Sequence, residues 1–364
     1  MAGFEIVTIE GEAYERGRQY GARAFDSIQQ NVEVYLRLIE FHGGLQVAAA
    51  RQAAGAYRPI LAAHAPELLE EMRGIADGAG VELADVLLIN ARSELMGAFG
   101  EGECTALAAT PQVTAEGRVL MGQNWDWYTA VAPEPVLLHV RPATGPQILT
   151  LTEAGQVGKI GLNSAGLGVG LNFLSHAHRG QGVPVHVILR QMLGCAHLGE
   201  AVRQAYAVPR GTAANVLLAH AEGDVLDLEL TAADVDFLYA DDGWLVHTNH
   251  FESPRLRAGD TGLLTSMSSL PRAARARRLL AAARGQISLH TFQTILADHA
   301  YGAYAICRHE SGDEAELQRT ATRASVILDL AEGTMHVAAG QPCQQPYRTL
   351  VPFHPVQPLL PPDP

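Results

Sequence analysis

Residues 101–110 read EGECTALAAT, and the texture of the chain changes across them. Upstream, residues 12–96 repeat apolar positions at three- and four-residue spacing, so EAYERGRQYGARAFDSIQQNVEVYLRLIEF and YRPILAAHAPELLEEMRGIADGAG predict helices, with Pro66 opening a turn. Downstream, from Cys104 to about Phe173, the chain breaks into short β-prone runs, CTALAAT, RVLMGQN, PVLLHVR, ILTLTE and GLGVGLNFL, punctuated by Gly, Pro, Asn and Thr. Working outward, VPVHVILRQMLGCA and GEAVRQAYAV predict two helices. ANVLLAHAEGDVLDLEL and DVDFLYA predict strands, with a hairpin turn at Glu222-Gly223-Asp224. PRAARARRLLAAARG, with Pro271 near its start and Gly285 at its end, and LHTFQTILADH predict two more helices, and ASVILDLAEGTMHVAAG a last hairpin. The order helices, strands, helices, strands predicts an α+β fold with two antiparallel sheets between helical layers. From Gln341 onward the chain carries eight prolines and reads as a meandering surface tail.

A chain of 364 residues, 48% hydrophobic, is long enough to bury a large core. The formal net charge of −13 suits a soluble protein and argues against a nucleic-acid partner, because phosphate binding needs clustered Lys and Arg. Cys104, Cys195, Cys307 and Cys343 are scattered without CxxC spacing, which is neither a disulfide framework nor a metal knuckle, so a reducing compartment is expected. MAGFEIVTIEG has no basic or apolar signal region, and no run approaches the ~18 apolar residues of a membrane span. The expected location is cytoplasmic, and no metal or cofactor is called for.

Several motifs fail on inspection. GLGVG at 166–170 lacks GxGxxG spacing, EAGQVGK lacks the first glycine of a phosphate loop, and LNSAG lacks the glycine two before Ser164 that a nucleophile elbow needs. His176, His178 and His186 have no companion ligands and read as exposed loop histidines. The arginines of 271–285, separated by alanines, read as a solvated helix face.

Cys104 stands where helical texture gives way to strand texture, and Thr105 follows it. A backbone cut just before Cys104 would leave a thiol and a free α-amine on one residue. With a reference pKa of roughly 7.7–8.0, that amine is suited to serve as general base for its own side chain.

CTALAATPQVTAEGRVLMGQNWDW, LTEAGQVGKIGLNSAGLGVGLNFL, VHTNHF and AICRH, in that order, together resemble the acyl-coenzyme A:6-aminopenicillanic acid acyltransferase family of self-processing N-terminal nucleophile enzymes, and GEAYERGRQYG resembles that family's pro-segment. The resemblance implies an αββα sandwich and autoproteolysis between Glu103 and Cys104. Residues 1–103 would then form a helical α chain and 104–364, ending in the 341–364 proline-rich tail, a β chain that stays associated with it. It implies Cys104 as nucleophile, Asp126 of NWDW as the carboxylate that holds the new amine, Asn249 of HTNH as oxyanion donor, and Arg308 of AICRH as a fixed positive charge. Thr105 would offer its backbone N–H, and Cys307 would sit inert on a strand's far face. Glu103 departs from the glycine that the fungal pattern has there, and its carboxylate is a candidate to activate water. Trp125, Trp127, Tyr128 and Phe173 are either acyl-pocket lining or core. The expected partner is a small acyl amide or acyl thioester. Two other readings stay open: an amide hydrolase of the choloylglycine hydrolase or acid ceramidase type, and a non-catalytic acyl-binding protein that never processes.

Overall fold

The computed structural model describes residues 4, 6–96, 102–131, 135–264, 266–310 and 314–356. Gly100 and Glu101 of the GEGE segment and residues 357–364 of the tail lie outside them. Fourteen strands among the described residues form two sheets. The first joins β1 (Ile6–Gly11), β4 (Val136–Pro142), β5 (Ile148–Thr152), β6 (Ile160–Asn163), β7 (Leu167–Leu174), β8 (Ala213–His220), β9 (Val225–Leu230) and β10 (Val235–Tyr239) in that spatial order. The second runs β11 (Trp244–His247), β2 (Glu103–Ala109), β3 (Leu120–Tyr128), β12 (Thr320–Asp329), β13 (Thr334–Ala339) and β14 (Arg348–Leu350).

The two sheets face each other, β2 lying over β7 and β8 and β11 over β9. Their facing side chains, Met121, Trp125, Leu171 and Val216 among them, belong to one continuous core. Helices cover both outer faces. On the eight-stranded sheet, α8 (Val185–Leu193) lies over β6 and β7, α9 (Leu198–Ala207) over β8, and α1 (Ala13–Arg23) beside β1. On the six-stranded sheet, α10 (Ser269–Ala282) and α11 (Leu289–Leu296) enclose a separate core of Leu107, Val246, Leu280, Phe292 and Ile327. Each strand that faces both a sheet and a helix is buried on both sides, which is why every residue of β2 and β3 is buried, polar Gln123, Asn124 and Asp126 included. The four layers are the αββα sandwich that the order of elements predicts.

The N-terminal helices pack unusually closely. Gly17 and Gly21 of α1 meet Gly74 and Gly78 of α5 (Pro66–Ala79): a Cβ added at Gly17 would lie 1.9 Å from the Glu71 carbonyl oxygen, and one at Gly74 2.0 Å from that of Tyr14. Only glycine lets the two backbones touch. The long apolar run after residue 12 splits into α1 and α2 (Phe25–Gly43) at Ala24.

Three elements differ from the sequence reading. Ile6–Gly11 is a strand, and it pairs parallel with β4 in sheets that are otherwise antiparallel. The tail after Gln341 is not only surface: Arg348–Leu350 adds an edge strand to β13, and Phe353 is buried. AICRH is no strand but a loop before β12, so Cys307, though buried, has no opposite strand face to occupy.

Candidate active site

Gly102 enters β2 pressed against Trp127, where a Cβ would come 1.9 Å from the indole ring. Glu103, Cys104 and Thr105 then pair with Asp126, Trp125 and Asn124 of β3. On the other side of β2, β11 ends with His247 opposite Ala106, so the chain that runs on from it carries Asn249 level with Cys104. Ser269, at the start of α10, fixes this turn: its hydroxyl accepts from the Asn249 N–H at 2.7 Å and meets Thr248 Oγ1 at 2.9 Å and His250 Nδ1 at 2.7 Å.

Asn249 is wedged between donors and an acceptor that together fix its amide. Its Oδ1 accepts from the Cys104 backbone N–H at 2.9 Å and from Arg272 Nη2 at 2.9 Å, while its Nδ2 donates to the Phe173 carbonyl at 3.0 Å. In the uncut chain it therefore holds the nitrogen that self-cleavage would free, and its donor edge is engaged elsewhere.

Arg272 was read as part of a solvated helix face; this is a correction. Its side chain is fully buried, and it donates to the Cys104 carbonyl at 2.7 Å, to Thr105 Oγ1 at 2.9 Å and to Asn249, with Glu103 at 3.5 Å. Arg277 and Arg278, five and six residues further along the same helix, do face solvent. The planar guanidinium satisfies four oxygens at once, which a lysine could not do.

The Glu103 carboxylate is ion-paired with Arg308 Nη1 and accepts from Ser266 Oγ at 2.6 Å and Ser268 Oγ at 2.8 and 2.9 Å. Burial would raise its pKa, but the charges of Arg272 and Arg308 and the two serine hydroxyls outweigh that and hold it below the usual carboxylate range. Its lone pairs are occupied, so it is a poor base for water. Arg308 lies with its guanidinium on the Glu103 carboxylate.

Asp126 is fully buried. Thr322 Oγ1 donates to its Oδ1 at 2.6 Å, and its Oδ2 has no hydrogen-bond partner among the described residues. Burial raises its pKa to about 7, against the charges of Arg272 and Arg308 and the Thr322 hydrogen bond. The Cys104 thiol is likewise raised, to about 11, by burial; the charge on Lys159 pulls it the other way and the Asp126 charge adds to the rise. Both groups resist ionisation, but they project from opposite faces of the sheet: Cys104 pairs with Trp125 and Asp126 with Glu103, so the thiol faces the cleft and the carboxyl faces the Glu103 side.

Around the thiol lies a closed cleft, lined by Trp125, Trp127, Leu171, Phe173, Ala213 and Ala214, with Arg92 and Lys159 at one end. Its free volume is about 20 Å³, room for about one water. Tyr128 is buried in the core away from that lining. The charged end is a network the sequence reading missed. Glu153 and Lys159 bracket the EAGQVGK loop, Glu153 pairs with Arg92 at 2.6 Å and Lys159 at 3.3 Å, and Lys159 Nζ stands 3.2 Å from the centre of the Trp125 ring. Burial lowers the Lys159 pKa to about 7, with Glu153 opposing. The signal in sequence was a lone lysine after a Gly-rich loop, which a phosphate-loop test discards.

Of the remaining motifs, GLGVG has its Gly166 in the turn before β7 and the rest inside that strand, and Ser164 is a turn residue whose Oγ accepts from the Gln147 N–H at 3.0 Å. His176 and His178 belong to a loop, but His186 does not: it is fully buried in α8, where burial pushes its pKa well down. The apolar stripe of VPVHVILR carries it inward. No helix among the described residues is long and apolar enough to cross a membrane.

Comparison with known proteins gives the following. The family model of the acyl-coenzyme A:6-aminopenicillanic acid acyl-transferase matches residues 113–344. The acyl-coenzyme A:6-aminopenicillanic-acid-acyltransferase 40 kDa form of Emericella nidulans is 30% identical over 246 residues, 67% of this chain and 68% of that protein. A mutant of the conjugated bile acid hydrolase from Clostridium perfringens superposes with a TM-score of 0.46 and 14% identity, covering 68% of this chain and 96% of that one. The penicillin V acylase from Agrobacterium tumefaciens gives a TM-score of 0.46 and 14% identity, over 65% of this chain and 83% of its own. On the extent of the family match and of the identity to the Emericella protein, the chain belongs to the acyl-coenzyme A:6-aminopenicillanic acid acyl-transferase family.

Proposed function

We propose that this chain is a cysteine amidohydrolase or acyltransferase that activates itself by breaking the Glu103–Cys104 peptide bond. The observation that carries the reading is the double clamp on Cys104, its N–H held by Asn249 and its carbonyl by Arg272, with a partnerless carboxyl oxygen of Asp126 on the adjacent strand.

In the first step the thiol gives up its proton and Sγ attacks the Glu103 carbonyl carbon. The C–N bond breaks, and the nitrogen leaves with a proton as the α-amine of Cys104, still facing Asn249 Oδ1. Water then adds to the thioester, releasing the Glu103 carboxyl and restoring the thiol. The products are chains of 103 and 261 residues, counted on the 364-residue sequence. In turnover the α-amine accepts the thiol proton, Sγ takes the acyl group from an amide or thioester, and the amine hands the proton to the leaving group. Water or an acceptor amine resolves the new thioester. Loss of one oxyanion donor typically costs on the order of 3 kcal/mol in such a step. The aromatic and aliphatic lining beside Sγ suits an apolar acyl group.

Intact-mass measurement of the purified protein tests the proposal. Two fragments beginning at Met1 and Cys104 are expected, and Cys104→Ala is expected to give one chain and no acyl transfer or amide hydrolysis. A wild-type chain that stays whole on prolonged incubation, or a Cys104→Ala chain still split at that bond, overturns it. A panel of acyl amides, acyl thioesters and conjugated bile salts, with water or an amine as acceptor, then separates hydrolysis from transfer.

A further inference from the structure

The four atoms His299 Nε2, Cys307 Sγ, His309 Nε2 and Cys343 Sγ converge in the loops before β12 and after β13, one candidate ligand atom from each residue and all within 4.8 Å of one another. His299 follows α11, Cys307 and His309 flank Arg308 in the loop before β12, and Cys343 lies in the turn after β13. The measured edges are 3.0 Å between the two nitrogens, 3.6 Å between the two sulfurs, and 3.3 and 3.8 Å from His309 Nε2 to Cys343 and Cys307. A tetrahedron built on zinc–sulfur bonds of about 2.3 Å and zinc–nitrogen bonds of about 2.0–2.1 Å has edges of about 3.8 Å between sulfurs, about 3.3 Å between nitrogens and about 3.6 Å between the two kinds.

Hydrogen bonding alone does not satisfy the cluster. His309 Nε2 carries either one proton or one lone pair, yet three polar neighbours crowd it. A cation at the centre takes a lone pair from each of the four atoms. We propose that His299, Cys307, His309 and Cys343 bind one thiophilic divalent cation, zinc by the chemistry of the donor set, in a closed structural site. Two thiolates and two imidazoles favour zinc over the oxygen-seeking Mg²⁺ and Ca²⁺, and four protein ligands leave no open position for catalysis.

The site gathers three chain segments around the residue that guards the Glu103–Cys104 bond. Arg308 sits between two ligands, its N–H bonded to Thr322 Oγ1 at 2.9 Å, and Thr322 in turn holds Asp126. The Cys307 N–H donates to the Asp298 carbonyl at 3.0 Å, tying the His299 segment to the Arg308 loop. A cation here rivets that loop, so that the Arg308 guanidinium stays on Glu103. The binding claim itself is independent of self-cleavage.

The test uses the full chain expressed with zinc in the medium and freed of loose metal by gel filtration, with metal measured by plasma mass spectrometry. About one zinc per chain is expected for wild type and for Cys195→Ser, a thiol outside the cluster; Cys343→Ser and His309→Ala are expected to weaken affinity by more than about 100-fold. Cobalt substitution is expected to give the intense visible bands of a tetrahedral sulfur-ligated ion, lost in Cys343→Ser. Wild-type protein with native circular dichroism and no metal above background overturns the proposal. So does an intact mass two hydrogens light, from a Cys307–Cys343 disulfide, or full metal content in the doubly substituted Cys307→Ser, Cys343→Ser chain.

Discussion

Replacing Arg272 by alanine removes a fully buried cation and takes a donor from the Cys104 carbonyl, Thr105 Oγ1 and Asn249 Oδ1, the last of which keeps the Cys104 N–H. Arg308 and the two serines still hold Glu103, so the loss is smaller than the sum of the separate bonds. Breaking a buried charge pair by deleting one partner costs about 3–5 kcal/mol. With roughly 2.1 cal/mol/K of unfolding entropy per residue, that corresponds to a fall in Tm of about 4–7 °C for a chain of 364 residues. The comparison is made in the Cys104→Ala background, so that every sample is one uncut chain. Arg278→Ala, two turns along the same helix and exposed, with a single bond to Tyr301, serves as the control and is expected to cost less than about 0.5 kcal/mol. Differential scanning calorimetry reads both. Equal Tm values for the two variants would refute the clamp, because a solvated arginine at 272 predicts that equality.

The proposed self-cleavage carries a pH dependence through Asp126. Its carboxyl is raised to about 7, so it is mostly protonated below that pH and ionised above it, where it can hold the departing nitrogen. The cleavage rate, followed by gel or intact mass after a pH jump, is expected to rise between pH 6 and 8 and then level off, and Asp126→Asn is expected to stay whole. A rate flat across that range excludes that role for Asp126. Gly102→Ala puts a methyl 1.9 Å from the Trp127 ring. Overpacking of this kind costs about 1–3 kcal/mol, so a lower Tm and slower cleavage are expected, and Trp127→Leu in the same chain should restore part of both; an unchanged Gly102→Ala chain contradicts the close approach.

What the sequence by itself determined was the layer order and the head of β2. Periodicity of three to four in the helices and short β-prone runs bounded by Gly, Pro and Asn are local properties, written in neighbouring residues, and so the αββα arrangement and the change of texture at Cys104 were both legible. β1 escaped because six residues, partly polar, give little periodic signal and their partner β4 lies far along the chain. Tertiary structure alone decided the site's charges. Arg272 and Arg278 sit in one alanine-spaced helix and look alike in sequence, yet the first points into the six-stranded sheet at β2 and the second to water, because only the docking of α10 on β2 and β11 says which side of the helix is inside. Lys159 and Glu153 came to the cleft by the folding of one loop, and the four Cys and His ligands came together from positions 299 to 343 by the pairing of β12 with β13 and the turn that follows. Propensity acts between neighbours, whereas burial of a charge and the convergence of ligands depend on contacts between residues far apart, which no local pattern encodes.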